Sequence, residues 1–181
     1  MSKSQTRQDC EAAEADFAAI INLNNVTLLN PTMLMVGTAG NPRTHKGKPG
    51  LDNPRLFSRY TLTTLDFDKK WEPDIVGNIV EPTDWSNGIT YDLIHITQVI
   101  EHIPHITELS EAFDALLNRG GYVIVDSPWG PKAPDYHGEA GSFGDYWRLS
   151  KDAFTYLFGF DFEIVKIIST DANTSCLLRK K

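Results

Sequence analysis

The sequence predicts an α/β fold built on a parallel sheet, and three observations support this prediction. Residues 93–97 and 122–125 are short runs rich in Ile and Val that lack strict alternation, which is typical of strands buried on both faces. Between them, apolar residues recur at helical spacing over residues 106–117. Gly120 and Gly121 follow, and we expect them to end that helix. A strand, a helix and a strand in this order form a βαβ unit.

Polar side chains follow both strands of this unit. Thr97 and Gln98 come after the first strand, and Asp126 and Ser127 come after the second. Parallel sheets place their binding sites at the carboxyl ends of the strands. We therefore expect a ligand to bind at this edge of the sheet.

Length and composition predict one soluble globular domain over residues 1–181. No apolar run approaches the roughly 20 residues needed to cross a bilayer, so no membrane partner is expected. The first residues lack the apolar core of a signal peptide, and two cysteines suggest no disulfide framework, so we expect a cytoplasmic protein. A net charge of −7 disfavours broad binding to nucleic acid, which relies on neutralising phosphates.

The start of the chain predicts a helix, a strand and a loop of small residues. Residues 1–25 form an N-terminal segment in which Ala13 and Phe17 recur at helical spacing, so we expect an amphipathic helix across the sheet or over a pocket. Residues 32–36 are the predicted first strand, and the loop after it begins at Gly37. Small residues there let a ligand approach the backbone N–H groups, although a tight turn without a ligand has the same composition.

Two further strands are predicted after residues 41–58, a segment rich in Pro and Gly that excludes a helix. Residues 60–67 have strong β propensity, and residues 74–80 form another short strand. Asp66 lies at the end of the second strand, where an acidic side chain commonly accepts hydrogen bonds from two ribose hydroxyls. The alternative interpretation of Asp66 is a turn or helix-cap aspartate.

The end of the chain predicts a lid, a helix and a hairpin. Residues 130–149 form a long aromatic and charged loop after the carboxyl end of a strand, a placement typical of a substrate lid. Ser150 is a candidate N-cap for a helix that ends at Gly159. Residues 162–170 and 174–179 are then predicted to form a two-stranded hairpin.

Three segments resemble, in order and at the expected spacing, motifs of the class I S-adenosylmethionine-dependent methyltransferases. Residues 91–104 read Tyr-Asp-Leu-Ile and then Thr-Gln-Val-Ile-Glu-His-Ile-Pro, which is similar to the family segment around its Glu-His pair. Residues 117–122 resemble the Gly-Gly turn before the fifth strand, and residues 145–150 resemble the Asp-Tyr-Trp-Arg segment of one branch. The chain looks most similar to the small single-domain, type 11-like enzymes that act on metabolites and glycans.

The resemblance implies a Rossmann-like, mostly parallel sheet of seven strands, with helices on both faces and a C-terminal antiparallel β-hairpin. It also implies S-adenosyl-L-methionine as the cofactor, lying over the ends of the first, second and fourth strands. In that arrangement Asp66 holds the ribose hydroxyls, and Phe67 packs on the adenine. The implied cofactor-binding residues are Gly37, Thr38, Ala39, Gly40, Asp66, Phe67, Asn78, Ile79, Thr97 and Gln98.

The first loop departs from the family pattern. Met35 stands where the family has an acidic residue, and Ala39 and Asn41 replace two of its glycines. The helix that usually follows is replaced by the Pro- and Gly-rich residues 41–58. Two alternatives therefore stay open: a methyltransferase-like binding or structural protein without catalysis, and another reaction on the same cofactor.

Methyl transfer from a sulfonium is a direct displacement, in which the protein aligns the acceptor and excludes water. The resemblance implies transfer to an oxygen or nitrogen atom of a small molecule or glycan, and such an acceptor can need a general base. Candidates for the base are His137, His102 and Tyr146. The spacing of His102, His105 and His137 is not a recognised ligand set, so no metal site is expected.

Overall fold

The computed structural model describes residues 5–24, 28–37, 57–131 and 144–181. Within these ranges the chain forms three α-helices and seven β-strands. The helices are α1 (Gln5–Asn24), α2 (Leu109–Leu116) and α3 (Lys151–Phe158). The strands are β1 (Thr32–Val36), β2 (Thr61–Asp66), β3 (Ile75–Val76), β4 (Tyr91–Ile96), β5 (Leu117–Pro128), β6 (Phe162–Ser169) and β7 (Asn173–Lys180).

The strands form one mixed sheet in the order β3-β2-β1-β4-β5-β7-β6. β1 to β5 are parallel to one another, whereas β7 is antiparallel to both β5 and β6. The predicted fold class is confirmed: a Rossmann-like, mostly parallel seven-stranded sheet that ends in an antiparallel hairpin. Because strand order reverses between β1 and β4, a crevice opens at the carboxyl ends of these two strands.

Helices cover both faces of the sheet, as predicted. On one face, Phe113 of α2 and Phe154 and Phe158 of α3 belong to the larger apolar core. On the other face, Phe17 and Ile21 of α1 are almost fully buried in a second cluster with side chains of β1, β4 and β5. Burying one such side chain contributes about 2 kcal/mol. Sheet packing therefore positions α1 above the strands that end at the crevice.

The end of α2 differs from the prediction. The helix ends at Leu116, and Leu117 already has an extended backbone, with φ −98° and ψ 140°. Gly120 lies within β5 at φ +76°, where the register with β4 shifts. A Cβ on Gly121 would lie only 2.8 Å from the carbonyl oxygen of Asn118. The two glycines therefore allow an irregular start of β5 instead of capping the helix.

The remaining elements agree with the prediction apart from their bounds. The short strand expected over residues 74–80 contains only the two residues of β3. The predicted hairpin is closed by Thr170, whose N–H donates to the carbonyl oxygen of Asn173 at 2.8 Å. Most of the 41–58 loop and the centre of the predicted lid lie outside the described residues. Among the helices that the structure describes, none is long and apolar enough to cross a membrane.

Candidate functional site

A cleft of about 620 Å³ lies at the carboxyl ends of β1, β2 and β4, where the sequence predicts a binding site. Its walls come from β1 and its following glycine, from the end of β2, from the loop after β3 and from the segment after β4. The lining residues are Val36, Gly37, Asp66, Phe67, Trp71, Gly77, Asn78, Ile79, Val80, Gln98, Val99, His102, Ile103, Pro104 and His105.

Gly37 begins the first loop in a conformation that excludes a side chain. Its φ is +70°, a left-handed value that only glycine adopts without cost. A Cβ at this position would lie 2.1 Å from Cγ2 of Val99, so the two residues close the base of the cleft together. The N–H of Gly37 donates to the carbonyl oxygen of Leu65 at 2.9 Å, which ties the end of β1 to β2.

Asp66 and Phe67 place a carboxylate beside an aromatic ring. The Asp66 side chain is buried, and its Oδ1 accepts a hydrogen bond from the N–H of Asp68 at 2.9 Å. Phe67 keeps 56% of its surface exposed, although it lies next to a buried strand and lines the cleft. A fixed carboxylate can accept hydrogen bonds from hydroxyls, and an uncovered ring can stack on a flat heterocycle. The pair therefore fits a nucleoside.

The loop after β3 continues the wall beside Asp66, whose carbonyl oxygen accepts a hydrogen bond from the N–H of Gly77 at 3.0 Å. The carbonyl oxygen of Asn78 accepts a hydrogen bond from the Trp85 indole at 2.8 Å, and Ile79 is buried. A Cβ on Gly77 would lie 2.7 Å from Cδ1 of Trp85, so only glycine lets the indole pack under the loop. This wall is therefore held by an indole that lies outside the cleft.

Gln98 lines the cleft, but its side chain is held by the neighbouring strands. Its backbone N–H and its Nε2 both donate to Oδ1 of Asp126, each at 2.8 Å. Nε2 also lies 3.0 Å from Oδ1 of Asn173. Gln98 has φ +54°, a left-handed value that is uncommon for any residue other than glycine. Because Asp126 and Asn173 hold the side-chain amide of Gln98, the predicted contact with a ligand would come from the Gln98 backbone.

His102 forms part of the cleft wall and is oriented by the segment after residue 143. Its Nδ1 lies 2.7 Å from the carbonyl oxygen of Gly144, so Nδ1 carries the proton and Nε2 is the basic nitrogen of the neutral ring. The N–H of Tyr146 donates to the carbonyl oxygen of Glu101 at 2.8 Å, and the Trp147 indole donates to that of Ile103 at 2.8 Å. Residues 144–147 therefore brace this wall.

Two buried carboxyl groups lie behind the wall. Burial raises the pKa of Glu101 to about 8, and the nearby Asp126 and Asp145 carboxylates act in the same direction. Burial also raises the pKa of Asp126 to about 6, although hydrogen bonds from Gln98 oppose the rise. At neutral pH Glu101 is therefore mostly protonated, whereas Asp126 is mostly ionised.

The structure brings together six of the residues that the resemblance implied for the cofactor. Gly37, Asp66, Phe67, Asn78, Ile79 and Gln98 all line one cleft. Thr97 is not among the lining residues, and Tyr146 is also absent from the lining, with 55% of its surface exposed. Thr38, Ala39, Gly40 and His137 lie outside the described residues.

Sequence reasoning missed several residues of the cleft. Trp71 lies in a single-turn helix after β2, and nothing in its local pattern indicated a binding site. Pro104 and His105 directly follow the Glu-His motif, so their position along the chain was a usable signal. No group of three or more His, Cys, Asp or Glu side chains in the described ranges is arranged to hold a metal ion.

Comparison with solved structures shows the same fold at low sequence identity. The 1,6-didemethyltoxoflavin N1-methyltransferase of Burkholderia thailandensis has a TM-score of 0.62 at 14% identity, over 94% of this chain and 79% of that one. The N-methyltransferase NodS of Bradyrhizobium japonicum has a TM-score of 0.61 at 13% identity, over 94% of this chain and 96% of that one. An amino pentose methyltransferase of Micromonospora echinaspora has a TM-score of 0.62 at 13% identity, over 95% of this chain and 92% of that one.

The sheet order and the position of the cleft are those of the Rossmann-like methyltransferase fold. The family model described as a methyltransferase domain matches residues 4–160, so the chain belongs to that family and is a methyltransferase. No curated protein is similar enough in sequence to match it.

Proposed function

We propose that the protein transfers a methyl group from S-adenosyl-L-methionine to an oxygen or nitrogen atom of a small molecule or sugar in the cytoplasm. The observation that carries this proposal is the buried Asp66 carboxylate beside the exposed Phe67 ring, next to the loop after β3 in the same cleft. This arrangement matches the hydroxyls and the base of a nucleoside. The cleft continues from there to Gly37 and Gln98 at the ends of β1 and β4.

Described residues of the cleft would contact each part of the cofactor. Asp66 would accept hydrogen bonds from the ribose hydroxyls, and Phe67 would stack on the adenine. Asn78 and Ile79 would border the adenine edge, while Gly37 and the backbone of Gln98 would lie beneath the methionine part. When bound, the cofactor supplies an electrophilic methyl group on a sulfonium.

His102 is the candidate base that the described structure supports best. Its Nδ1–H is directed to Gly144, so Nε2, which lies 3.8 Å from Oε1 of Glu101, is the nitrogen that would accept a proton from the acceptor as the new bond to carbon forms. The ring lines the cleft, whereas the Tyr146 ring does not. His137 also stays a candidate in the predicted lid.

Similar solved structures support a small acceptor. By their names, one of these enzymes methylates 1,6-didemethyltoxoflavin, a small molecule, and another methylates an amino pentose. Mass spectrometry tests this part of the proposal: wild-type protein is incubated with the cofactor and a panel of small amines, alcohols and amino sugars. A product heavier by one CH₂ and dependent on the protein is expected.

Cofactor binding is tested separately by isothermal titration with S-adenosylmethionine and with S-adenosylhomocysteine. Saturable binding of both is expected. Absence of heat at millimolar cofactor would contradict the proposed function at its first step.

A second candidate function, a binding protein without catalysis, is favoured by one observation. Met35 is fully buried in the apolar cluster under α1, so the end of β1 presents no carboxylate to the cleft. Saturable cofactor binding without any methylated product from the acceptor panel would favour this candidate.

A further inference from the structure

We propose that Asp126 is a positioning residue that shapes the cofactor cleft through Gln98, with Asn173 as the second support. We call Asp126 of β5 and Asn173 of β7 the β5–β7 clamp. The proposal rests on the proposed function, because it assigns the clamp a role in holding the same cofactor. Asp126 does not line the cleft, so it acts through the residue that does.

The clamp holds a backbone conformation that Gln98 would not adopt alone. A residue with a Cβ at φ +54° is disfavoured by contact between that Cβ and the backbone. Here the backbone N–H and the side-chain amide of Gln98 both donate to one carboxylate oxygen of Asp126, which lies 28 positions further along the chain. Asn173 accepts from the same amide and in turn donates to Oγ of Ser175 at 2.8 Å. Hydrogen bonds to a charged acceptor are strong enough to offset the unfavourable backbone.

The conformation of Gln98 determines where the floor of the cleft lies. The next residue, Val99, packs closely against Gly37. A Cβ added to Gly37 would lie 2.1 Å from Cγ2 of Val99. Gln98, Val99 and Gly37 all line the cleft. If Gln98 returned to an ordinary φ, the chain would leave β4 in another direction and Val99 would move away from Gly37.

The clamp also brings a buried negative charge next to the cleft. Asp126 is 1% exposed and sits one hydrogen bond from Gln98. Hydrogen bonds from the Gln98 amides and the Cys10 side chain lower the pKa of Asp126, whereas repulsion from the Glu14 carboxylate raises it. The Asp126 carboxylate in turn raises the pKa of Glu101. S-adenosylmethionine is positively charged at its sulfonium, and S-adenosylhomocysteine lacks that charge. The buried carboxylate therefore favours the methyl donor over the product by Coulomb attraction.

The experiment compares the dissociation constants of both cofactor forms in wild-type protein and five variants. Asp126→Asn keeps an acceptor oxygen for Gln98 but removes the charge, and Asp126→Ala removes both. Gln98→Gly and Gln98→Ala both remove the side-chain hydrogen bonds and keep the backbone N–H, but only glycine adopts φ +54° without cost. Asp152→Asn, on the exposed first turn of α3, is the matched charge control.

Four results are expected. Asp126→Ala weakens binding of both cofactor forms by roughly tenfold or more, since charge-assisted hydrogen bonds are lost. Asp126→Asn weakens S-adenosylmethionine several-fold more than S-adenosylhomocysteine. Gln98→Gly binds more tightly than Gln98→Ala, which a purely structural role of the side chain does not explain. Asp152→Asn binds like wild type.

The outcomes separate the clamp from the proposed function. If wild-type protein binds neither cofactor form, the proposed function fails and the clamp fails with it. If wild-type protein binds but Asp126→Asn and the two Gln98 variants bind equally well, only the clamp is overturned. Near-ultraviolet circular dichroism confirms folding, and Asp126→Asn and Gln98→Gly keep the test decisive if Asp126→Ala does not fold.

Discussion

The shape of the cleft depends on the absence of a Cβ atom at Gly37, next to Val99. The two residues come from different strand ends and meet at the base of the cleft, where the backbone of Gly37 is left-handed. Any side chain at this position adds backbone strain and a collision with Val99. The requirement for glycine is therefore geometric and does not depend on which ligand binds.

Gly37→Ala is expected to destabilise the protein by roughly 2–4 kcal/mol and to abolish cofactor binding, because its Cβ would lie 2.1 Å from Val99. Urea unfolding and isothermal titration measure the two effects. Gly88→Ala is the matched control: Gly88 has φ +76°, but a Cβ there meets nothing within 4 Å. It should lose only about 1–2 kcal/mol and keep full binding. Equal losses in both variants would show that Val99 does not restrict this position.

Asp66 is expected to carry much of the affinity for the ribose. Asp66→Asn keeps an oxygen for the N–H of Asp68 but loses the charge, so cofactor affinity should fall roughly tenfold with little change in stability. Isothermal titration measures the affinity. Asp68→Asn is the control, because that side chain pairs with Lys70 at 2.8 Å near solvent. An unchanged affinity in Asp66→Asn would rule out the assigned hydrogen bonds.

At the scale of elements, the cleft wall after β4 depends on a segment that is distant in sequence. Residues 144–147 contribute three hydrogen bonds to the backbone or side chains of residues 101–103. Ile103 and His102 line the cleft, so this bracing reaches the site directly. The helix that follows, α3, is capped by Ser150, whose Oγ accepts from the N–H of Ala153 as predicted.

Trp147→Phe tests the bracing. The variant keeps an aromatic ring but removes the donor to the Ile103 carbonyl, so we expect a loss of about 1 kcal/mol in stability and a several-fold weaker cofactor affinity. Thermal unfolding and isothermal titration provide the measurements. Tyr156→Phe changes a ring that is 85% exposed and should alter neither property. If Trp147→Phe lowers stability but leaves affinity intact, the segment stabilises the fold without shaping the cleft.

At the scale of the whole molecule, pH acts through the buried carboxyl groups. Glu101 keeps its proton in the folded protein up to about pH 8, whereas in the unfolded chain it ionises near its usual pKa of 4.5. The folded state therefore binds more protons between these values, and the free energy of unfolding falls as pH rises through this window. Asp126 also lowers the free energy of unfolding as pH rises, between pH 3.8 and about pH 6.

Glu101→Gln should flatten this dependence between about pH 5 and pH 8, the window that the raised pKa of Glu101 sets. Three pKa units at about 1.4 kcal/mol each give roughly 4 kcal/mol, the most that the variant can gain over wild type between pH 5 and pH 8.5. Urea unfolding across that range measures it. Asp126 is present in both proteins, so its own contribution to the pH dependence, between pH 3.8 and about pH 6, is common to the two curves. Parallel curves for the two proteins would show that Glu101 ionises normally.

Much of the architecture follows from local pattern. The buried runs that became β1, β4 and β5, the spacing of α2 and the Ser150 cap all depend on residues that are neighbours in the chain. Pattern reasoning was wrong about Gly120, because a glycine that ends a helix and one that starts an irregular strand look the same locally. The structure distinguishes them through the backbone of β4, against which Gly121 packs.

The sequence by itself determined the α/β class and predicted a site at the carboxyl edge that includes Asp66, because periodicity and short motifs are properties of adjacent residues. Only the tertiary structure decided that Gln98 is left-handed, that Asp126 lies beneath it and that residues 144–147 orient His102. These arrangements join atoms that lie 28 to 75 positions apart. A backbone angle held by a distant carboxylate, like a pKa raised by burial, depends on what packs around the group rather than on what precedes it in the chain.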